Sequence, residues 1–212
     1  MEMMILGLAI FIGMHSLNTI SPNTRLKLID QMGINGFKAV YSLISLAGFV
    51  CIVTGYPDAL ARMDWGWSPP TFTKHITLLL MLFVCILLVS TYIPNNHIKG
   101  KLKHPMILSV KVWALAHLIA NGQGANVVLF ASFLIWSVLN FRAARKRDKK
   151  ALIEATSSSS SEITATAPHY SGARTLICIA TGIALWIIMI GGLHYTLFGV
   201  YPVMINGLVG PT

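Results

Sequence analysis

Residues Lys74–Ile93 read KHITLLLMLFVCILLVSTYI and carry no charged side chain after Lys74. A helix needs about 20 mostly apolar residues to cross a bilayer, so this stretch predicts a transmembrane helix. The whole chain has the same character, since 55% of its 212 residues are hydrophobic and only 11% are charged. Soluble domains carry about 25% charged residues. The composition therefore excludes a water-soluble enzyme, a disulfide-stapled secreted module and a disordered tail protein.

The same criterion, applied along the chain, predicts six spans: Met3–Ile20, Phe37–Tyr56, Lys74–Ile93, Pro105–Ala120, Asn126–Phe141 and Thr175–Val200. The expected fold is an all-α polytopic integral membrane bundle of about six transmembrane helices. Helix association is expected to rest on small residues such as Gly7, Gly13, Ala47 and Gly48. The three cysteines form no CxxC pair, which excludes a thiolate metal site.

The basic residues lie in alternate connections between the spans. The connections after spans one, three and five hold most of the 16 Lys and Arg residues. The positive-inside rule then places these connections in the cytoplasm and both termini outside. The membrane explains the net charge of +9, so no nucleic-acid partner is expected. Glu2 replaces a basic leader, and the first segment is interpreted as a retained span.

Composition predicts three regions. Residues 1–147 form a membrane core of five spans, residues 148–174 a low-complexity cytoplasmic loop, and residues 175–212 the final span with an outer tail. Ser157–Ser161 is a run of serines, which is typical of a disordered linker. There is no internal repeat, P-loop or Gly-rich dinucleotide fingerprint.

Polar side chains inside a membrane are costly, so each one is a functional candidate. Histidines lie in spans or at their edges at five positions: His15, His75, His104, His117 and His194. Every carboxylate lies at the terminus or in a loop, which leaves carboxylate catalysis and a hard-cation cage without ligands inside the membrane. Neutral imidazole suits zinc, copper or haem iron, and histidines spread over several helices fit haem best. Edge histidines such as His75 and His104 can also lie simply in the headgroup zone.

Span four carries two polar faces. Trp113, His117 and Asn121 follow one another at helical spacing on one face, whereas His104 and Lys111 share another. A lysine inside a span costs about 2.5–3.5 kcal/mol unless it is paired. No other span offers an acid. Lys111 therefore either reaches the cytoplasmic edge with its long side chain or pairs with an anionic cofactor such as a haem propionate.

Several short motifs resemble the NnrU family of bacterial membrane proteins. They are Gly13-Met14-His15-Ser16, Tyr41-Ser42-Leu43, Lys74-His75, Lys103-His104-Pro105 and Ala116-His117-Leu118-Ile119-Ala120-Asn121-Gly122. The resemblance implies a multi-pass protein of the bacterial cytoplasmic membrane, in contact with the lipid bilayer. It also implies a redox or accessory role in nitric oxide and denitrification metabolism. A nitrogen-oxide reductase or its electron donor is then the expected partner.

A distant branch of this family is the plant zeta-carotene isomerase, a membrane enzyme with haem b. Its axial ligands fall by motif on His15 and His117, so the resemblance implies a b-type haem on these two residues. His104, Lys111, Trp113 and Asn121 would then contact the haem, and His75 and His194 would line an outer cavity. The branch has a cysteine three residues before the second ligand, where this chain has Ala114. Ala114 offers no thiolate for ligand switching, which speaks against isomerase activity. Isomerisation of a polyene lipid is the alternative function that the resemblance implies.

The depths of the histidines in the membrane, counted along their spans, leave other pairs or sets of iron ligands open. His15 lies about 18 Å from the outer end of its span and His117 only about 6 Å from the end of span four. His15 with His104, or an outer cluster of His75, His117 and His194, would match better in depth. His104-Pro105 is also similar to a segment of isoprenylcysteine-type methyltransferases, although the paired glutamates of that class are missing. The sequence specifies no substrate, catalytic residue or oligomeric state.

Overall fold

The computed structural model describes residues 1–158 and 169–202, and these residues form helices and no extended strand. The elements are α1 (Glu2–Ile20), α2 (Pro22–Arg62), α3 (Phe72–Tyr92), α4 (His97–Leu102), α5 (Pro105–Ala120), α6 (Gly124–Ser158), α7 (Gly172–Ile188), a π-helical segment (Met189–Leu193) and α8 (His194–Phe198). Five helical stretches of the described chain are long and apolar enough to cross a membrane. The prediction of an all-α polytopic membrane bundle is confirmed.

The fourth predicted span is the short one. Helix α5 has the predicted bounds, because Pro105 suits the first turn of a helix and Asn121-Gly122 follows its end. Its 16 residues rise about 24 Å, against the roughly 30 Å of a hydrocarbon core. The described chain thus has five helices of spanning length and one shorter apolar helix. A sixth complete crossing stays a prediction.

Two helices extend beyond the predicted spans. Helix α2 begins at Pro22, so the basic segment before Phe37 is helical, with one non-helical residue at Gly33 (φ 73°, ψ 164°). Helix α6 continues past Phe141 to Ser158, through residues that were predicted to form a loop. The remainder of the serine-rich stretch, residues 159–168, lies outside the described residues. Hydropathy indicates where the apolar region ends, whereas Lys, Arg, Glu and Ala favour continuation of the helix.

Contacts group the chain into two units. The first contains Met1–Ser68 and Asn121–Ser158, and hence α1, α2 and α6. The second contains Pro69–Ala120 together with α7, the π-helical segment and α8. The division at residues 147 and 174 was drawn from composition rather than packing, and it stays a prediction.

In the first unit, α1 packs against α2 through glycines. A Cβ on Gly7 would lie 2.6 Å from the amide nitrogen of Ile52 and 2.7 Å from the carbonyl oxygen of Gly48. Gly55 is equally close to the backbone of Met4. The predicted role of small residues is thus confirmed for Gly7 and Gly48. It is wrong for Gly13, since a Cβ there would meet nothing within 4 Å.

Helix α6 joins this pair through polar bridges. The Thr19 hydroxyl donates to Oδ1 of Asn140 at 2.6 Å, and the Tyr56 hydroxyl donates to Oδ1 of Asn126. The connection after α2 also pairs with the segment before α6. The amide of Gly124 donates to the carbonyl of Trp65 at 2.9 Å. These contacts hold α6 at both ends of its apolar part.

In the second unit, α3 packs against both α5 and α7. The Thr77 hydroxyl donates to the carbonyl oxygen of Ala116 at 2.8 Å, and the indole of Trp186 donates to the carbonyl of Leu78 at 3.0 Å. Only a glycine fits at position 182, because a Cβ there would lie 2.6 Å from Cα of Ile86. Hydrogen bonds from side chains to backbone therefore position α5 and α7 on α3.

Candidate functional site

His15 is half-buried on α1, and its ring orientation is fixed by its own helix. Nδ1 lies 2.7 Å from the carbonyl oxygen of Phe11, one turn earlier. A carbonyl only accepts, so Nδ1 carries the proton and donates it. In the neutral tautomer that makes this hydrogen bond, the lone pair lies on Nε2. Among the two ring nitrogens, Nε2 is therefore the one suited to binding a metal.

Aromatic rings from three helices surround this imidazole. The ring of Phe11 stacks on His15 with centroids 4.1 Å apart, and Tyr41 of α2 lies at 5.4 Å. Trp136 of α6 presents an edge-on contact at 6.2 Å. Its indole Nε1 is buried and has no hydrogen-bond partner in the described chain. A buried donor left unpaired costs about 1–3 kcal/mol, so this N–H is a candidate contact for a bound group.

A cleft of about 390 Å³ opens beside His15. Its walls come from the C-terminal part of α1 and the N-terminal half of α2. They consist of Met14, His15, Leu17, Asn18, Arg25, Phe37, Lys38, Tyr41 and Ser42. The volume lies within the range of small-molecule sites, about 300–1,000 Å³. The lining contains two cations and no carboxylate. It therefore suits a ligand with an anionic group.

His117, on α5 in the second unit, repeats the local arrangement of His15. Its Nδ1 lies 2.9 Å from the carbonyl oxygen of Trp113, again one turn earlier. The Trp113 ring is 5.3 Å away, so the predicted Trp113–His117 face exists. Asn121 lies just beyond the last residue of α5 and is grouped with the first unit, so its place on this face stays a prediction. Between Trp113 and His117 in the chain, Ala114 and Ala116 are fully buried.

The other predicted site residues lie in the second unit as well. His75 is exposed near the start of α3. His104 is half-buried just before α5, where its carbonyl accepts the amide of Leu108 at 3.2 Å. Lys111 is half-buried within α5. His194 begins α8, and its Nδ1 donates to the carbonyl of Val200 at 2.7 Å.

The two predicted haem ligands lie in different units. His15 belongs to the first and His117 to the second, so their common coordination of one iron stays a prediction. The described residues contain no group of three or more His, Cys, Asp or Glu side chains that could hold a metal ion. The outer set of His75, His117 and His194 therefore does not form such a group. A pair of axial histidines has only two members, so this finding on groups of three or more does not test it.

Sequence reasoning missed four side chains around His15 as site residues: Arg25, Lys38, Tyr41 and Trp136. Arg25 and Lys38 were assigned only to membrane topology. One signal was available, because Phe37 and Tyr41 stand four apart and so share a helix face near His15 in the fold. Trp136 gave no signal, since a tryptophan in an apolar span is ordinary.

Comparison with protein-family models shows what the chain is similar to. The family model described as NnrU protein matches residues 3–202, nearly the whole chain. No curated protein and no solved structure gives a match. The motifs around His15 and His117 both lie within the matched region. The chain therefore belongs to the NnrU family.

Proposed function

We propose that this membrane protein binds a b-type haem through Nε2 of His15 and Nε2 of His117. One observation carries the proposal, namely the matched hydrogen bonds of the two rings. Nδ1 lies 2.7 Å from the Phe11 carbonyl in one and 2.9 Å from the Trp113 carbonyl in the other. Histidines that bind metals commonly donate their second N–H in this way, which fixes the ring and raises the basicity of the ligand nitrogen.

The surrounding residues are compatible with such a group. The lone pairs of two neutral imidazoles are the donors that haem iron takes in bis-histidine proteins. The unpaired indole N–H of Trp136 beside His15 could donate to a polar atom brought in with the ligand. A bis-histidine haem supplies one-electron redox chemistry when bound. The chain's own residues orient the two rings through the carbonyls of Phe11 and Trp113.

The role that follows is a redox or accessory factor in nitric oxide and denitrification metabolism of a bacterial cytoplasmic membrane. Membership of the NnrU family supports this assignment. Its partner would be a nitrogen-oxide reductase or the electron donor of one. Ala114 is fully buried where the isomerase branch has a cysteine, so no thiolate competes for the iron. This difference favours electron transfer over polyene isomerisation.

An optical spectrum tests haem binding. The full chain, expressed with ample haem and purified in detergent, is recorded oxidised and then reduced with dithionite. We expect sharp reduced bands in the wild type and their loss in His15→Ala and in His117→Ala. His97→Ala is the matched control, because His97 is exposed and its Nδ1 contacts the Thr175 hydroxyl. A colourless wild type would overturn the proposal.

A second pair of variants separates ligand loss from misfolding. His15→Gly and His117→Gly each remove the imidazole and leave space for a free one. We expect millimolar imidazole to restore the reduced bands in both variants. If the reduced bands survive in one of the two alanine variants but disappear in His194→Ala, then His194 is the ligand in place of the histidine that was substituted in the surviving variant. Turnover of a polyene substrate by the haem-loaded wild type would favour the isomerase function.

A further inference from the structure

The cleft beside His15 contains two cations, and none of the ion pairs found among residues 1–158 and 169–202 joins either of them to a carboxylate. Arg25 and Lys38 line it, and none of its other lining residues is acidic. The ion pairs of the described chain join other residues, such as Arg62 with Asp58 and Lys150 with Glu154. Two positive charges that line one cleft repel each other, and an anion bound between them removes this repulsion. An anionic group on a ligand would remove that repulsion.

A continuous series of contacts connects these cations to the imidazole. The rings of His15 and Tyr41 are 5.4 Å apart, and those of Tyr41 and Phe37 are 6.0 Å apart. The guanidinium carbon of Arg25 lies 5.5 Å from the centroid of the Phe37 ring. This cation–π contact holds the guanidinium at the wall of the cleft. His15 and Arg25 thus belong to one binding surface.

The non-helical residue Gly33, which interrupts α2, creates this binding surface. Arg25 precedes Gly33 and Phe37 follows it, so the guanidinium reaches the ring only because the chain changes direction between them. The backbone of Gly33 (φ 73°, ψ 164°) is in a region that is essentially restricted to glycine. An uninterrupted helix would instead separate residues 25 and 37 by about 18 Å along its axis.

We propose that Arg25 and Lys38 bind the propionate carboxylates of the haem whose iron is bound by His15. The inference rests on the proposed function and adds to it the residues that hold the anionic edge of the cofactor. The planar guanidinium of Arg25 can pair with both oxygens of one carboxylate. Lys38 is exposed at the opening of the cleft, where it can reach the other carboxylate from water. This assignment differs from the sequence-based expectation, which gave the propionates to Lys111 and His104.

The test compares haemin with haemin dimethyl ester, in which both propionates are uncharged. Apo-protein from haem-limited cells is titrated with each compound in detergent, for the full chain and for Arg25→Gln, Lys38→Gln and the double variant. We expect the wild type to bind haemin more tightly than the ester. Each single substitution should weaken haemin binding about tenfold and leave ester binding unchanged, as for the loss of one charged hydrogen bond.

Lys27→Gln is the matched control. Lys27 lies two residues from Arg25 in the same basic segment, is exposed, and does not line the cleft. It should leave both affinities unchanged. Unchanged ester binding in the Arg25 and Lys38 variants also reports that the fold and the histidine ligands are intact.

The outcomes separate this inference from the proposed function. A wild type that binds haemin and its ester equally, or a double variant that still binds haemin more tightly than the ester, would overturn the role of Arg25 and Lys38 and leave the bis-histidine haem in place. A wild type that binds neither compound would overturn both. Faster transfer of haemin from the double variant to apo-myoglobin than from Lys27→Gln would support the inference through a kinetic measurement.

Discussion

His15 and His117 have the same local geometry, but the helices that carry them are positioned by different means. Helix α1 lies against α2 where Gly7, Gly48 and Gly55 let the two backbones approach directly. Helix α5 lies against α3, and the hydroxyl of Thr77 donates to the carbonyl of Ala116, next to His117. A side chain added at the glycine contacts would force the two backbones apart. The loss of the Thr77 hydrogen bond would remove one interaction and leave the packing of α5 on α3 in place. We therefore expect the His15 region to be more sensitive to substitution.

Gly7→Ala should have the largest effect. The added Cβ would lie 2.6 Å from the amide nitrogen of Ile52, and neither backbone can move away without shifting its whole helix. We expect the free energy of unfolding to fall by about 3 kcal/mol, at the upper end of the usual cost of overpacking. Denaturant unfolding in detergent measures it. Gly13→Ala on the same helix is the control, with a change within about 0.5 kcal/mol.

Equal effects of Gly7→Ala and Gly13→Ala would contradict this account, because a Cβ on Gly13 meets nothing within 4 Å. The difference between them, rather than either value, measures the close approach of α1 to α2.

Gly33→Ala should have an intermediate effect of a different origin. A Cβ at Gly33 also meets nothing within 4 Å, so packing is not the problem. The cost of about 1–3 kcal/mol comes from forcing a side chain into a backbone conformation that only glycine adopts easily. Unfolding measurements on this variant and on Gly13→Ala compare two open positions that differ in backbone conformation. Equal stability of the two variants would mean that the break in α2 is not maintained.

Thr77→Val should have the smallest effect. It removes one hydroxyl donor to the Ala116 carbonyl at 2.8 Å and preserves the shape of the side chain. Interhelical hydrogen bonds of this kind contribute about 0.6 kcal/mol in membrane proteins. We expect a loss near that value, measured by denaturant unfolding in detergent. Thr91→Val is the control on the same helix, because the Thr91 hydroxyl donates to the carbonyl of Leu87, one turn earlier in α3. A loss above about 2 kcal/mol would mean that this hydrogen bond holds α5 as firmly as the glycines hold α1.

The sequence predicted the fold where it carries explicit signals. Pro105 and Asn121-Gly122 predicted both ends of α5, and the apolar run from Ile76 predicted α3 to within a few residues. It failed at Pro22 and Ser158, because charge ends a membrane span without ending a helix. The break at Gly33 could not be predicted, since nearby Gly36 looks the same in sequence yet is helical. The bonds from His15 and His117 to their own helices depend on rotamers, which no sequence pattern specifies.

The two units interleave along the chain. Synthesis proceeds from the N-terminus, so α1 and α2 are made first, while α6, which carries Asn126 and Asn140, is made only after α3, α4 and α5. Tyr56 and Thr19 therefore lack their hydrogen-bond partners in the nascent chain until α6 has been synthesised. The second unit waits in turn for α7, which is synthesised after α6. Neither unit can finish folding until most of the protein has left the ribosome, so a premature stop after Ala120 would release a chain in which both are incomplete.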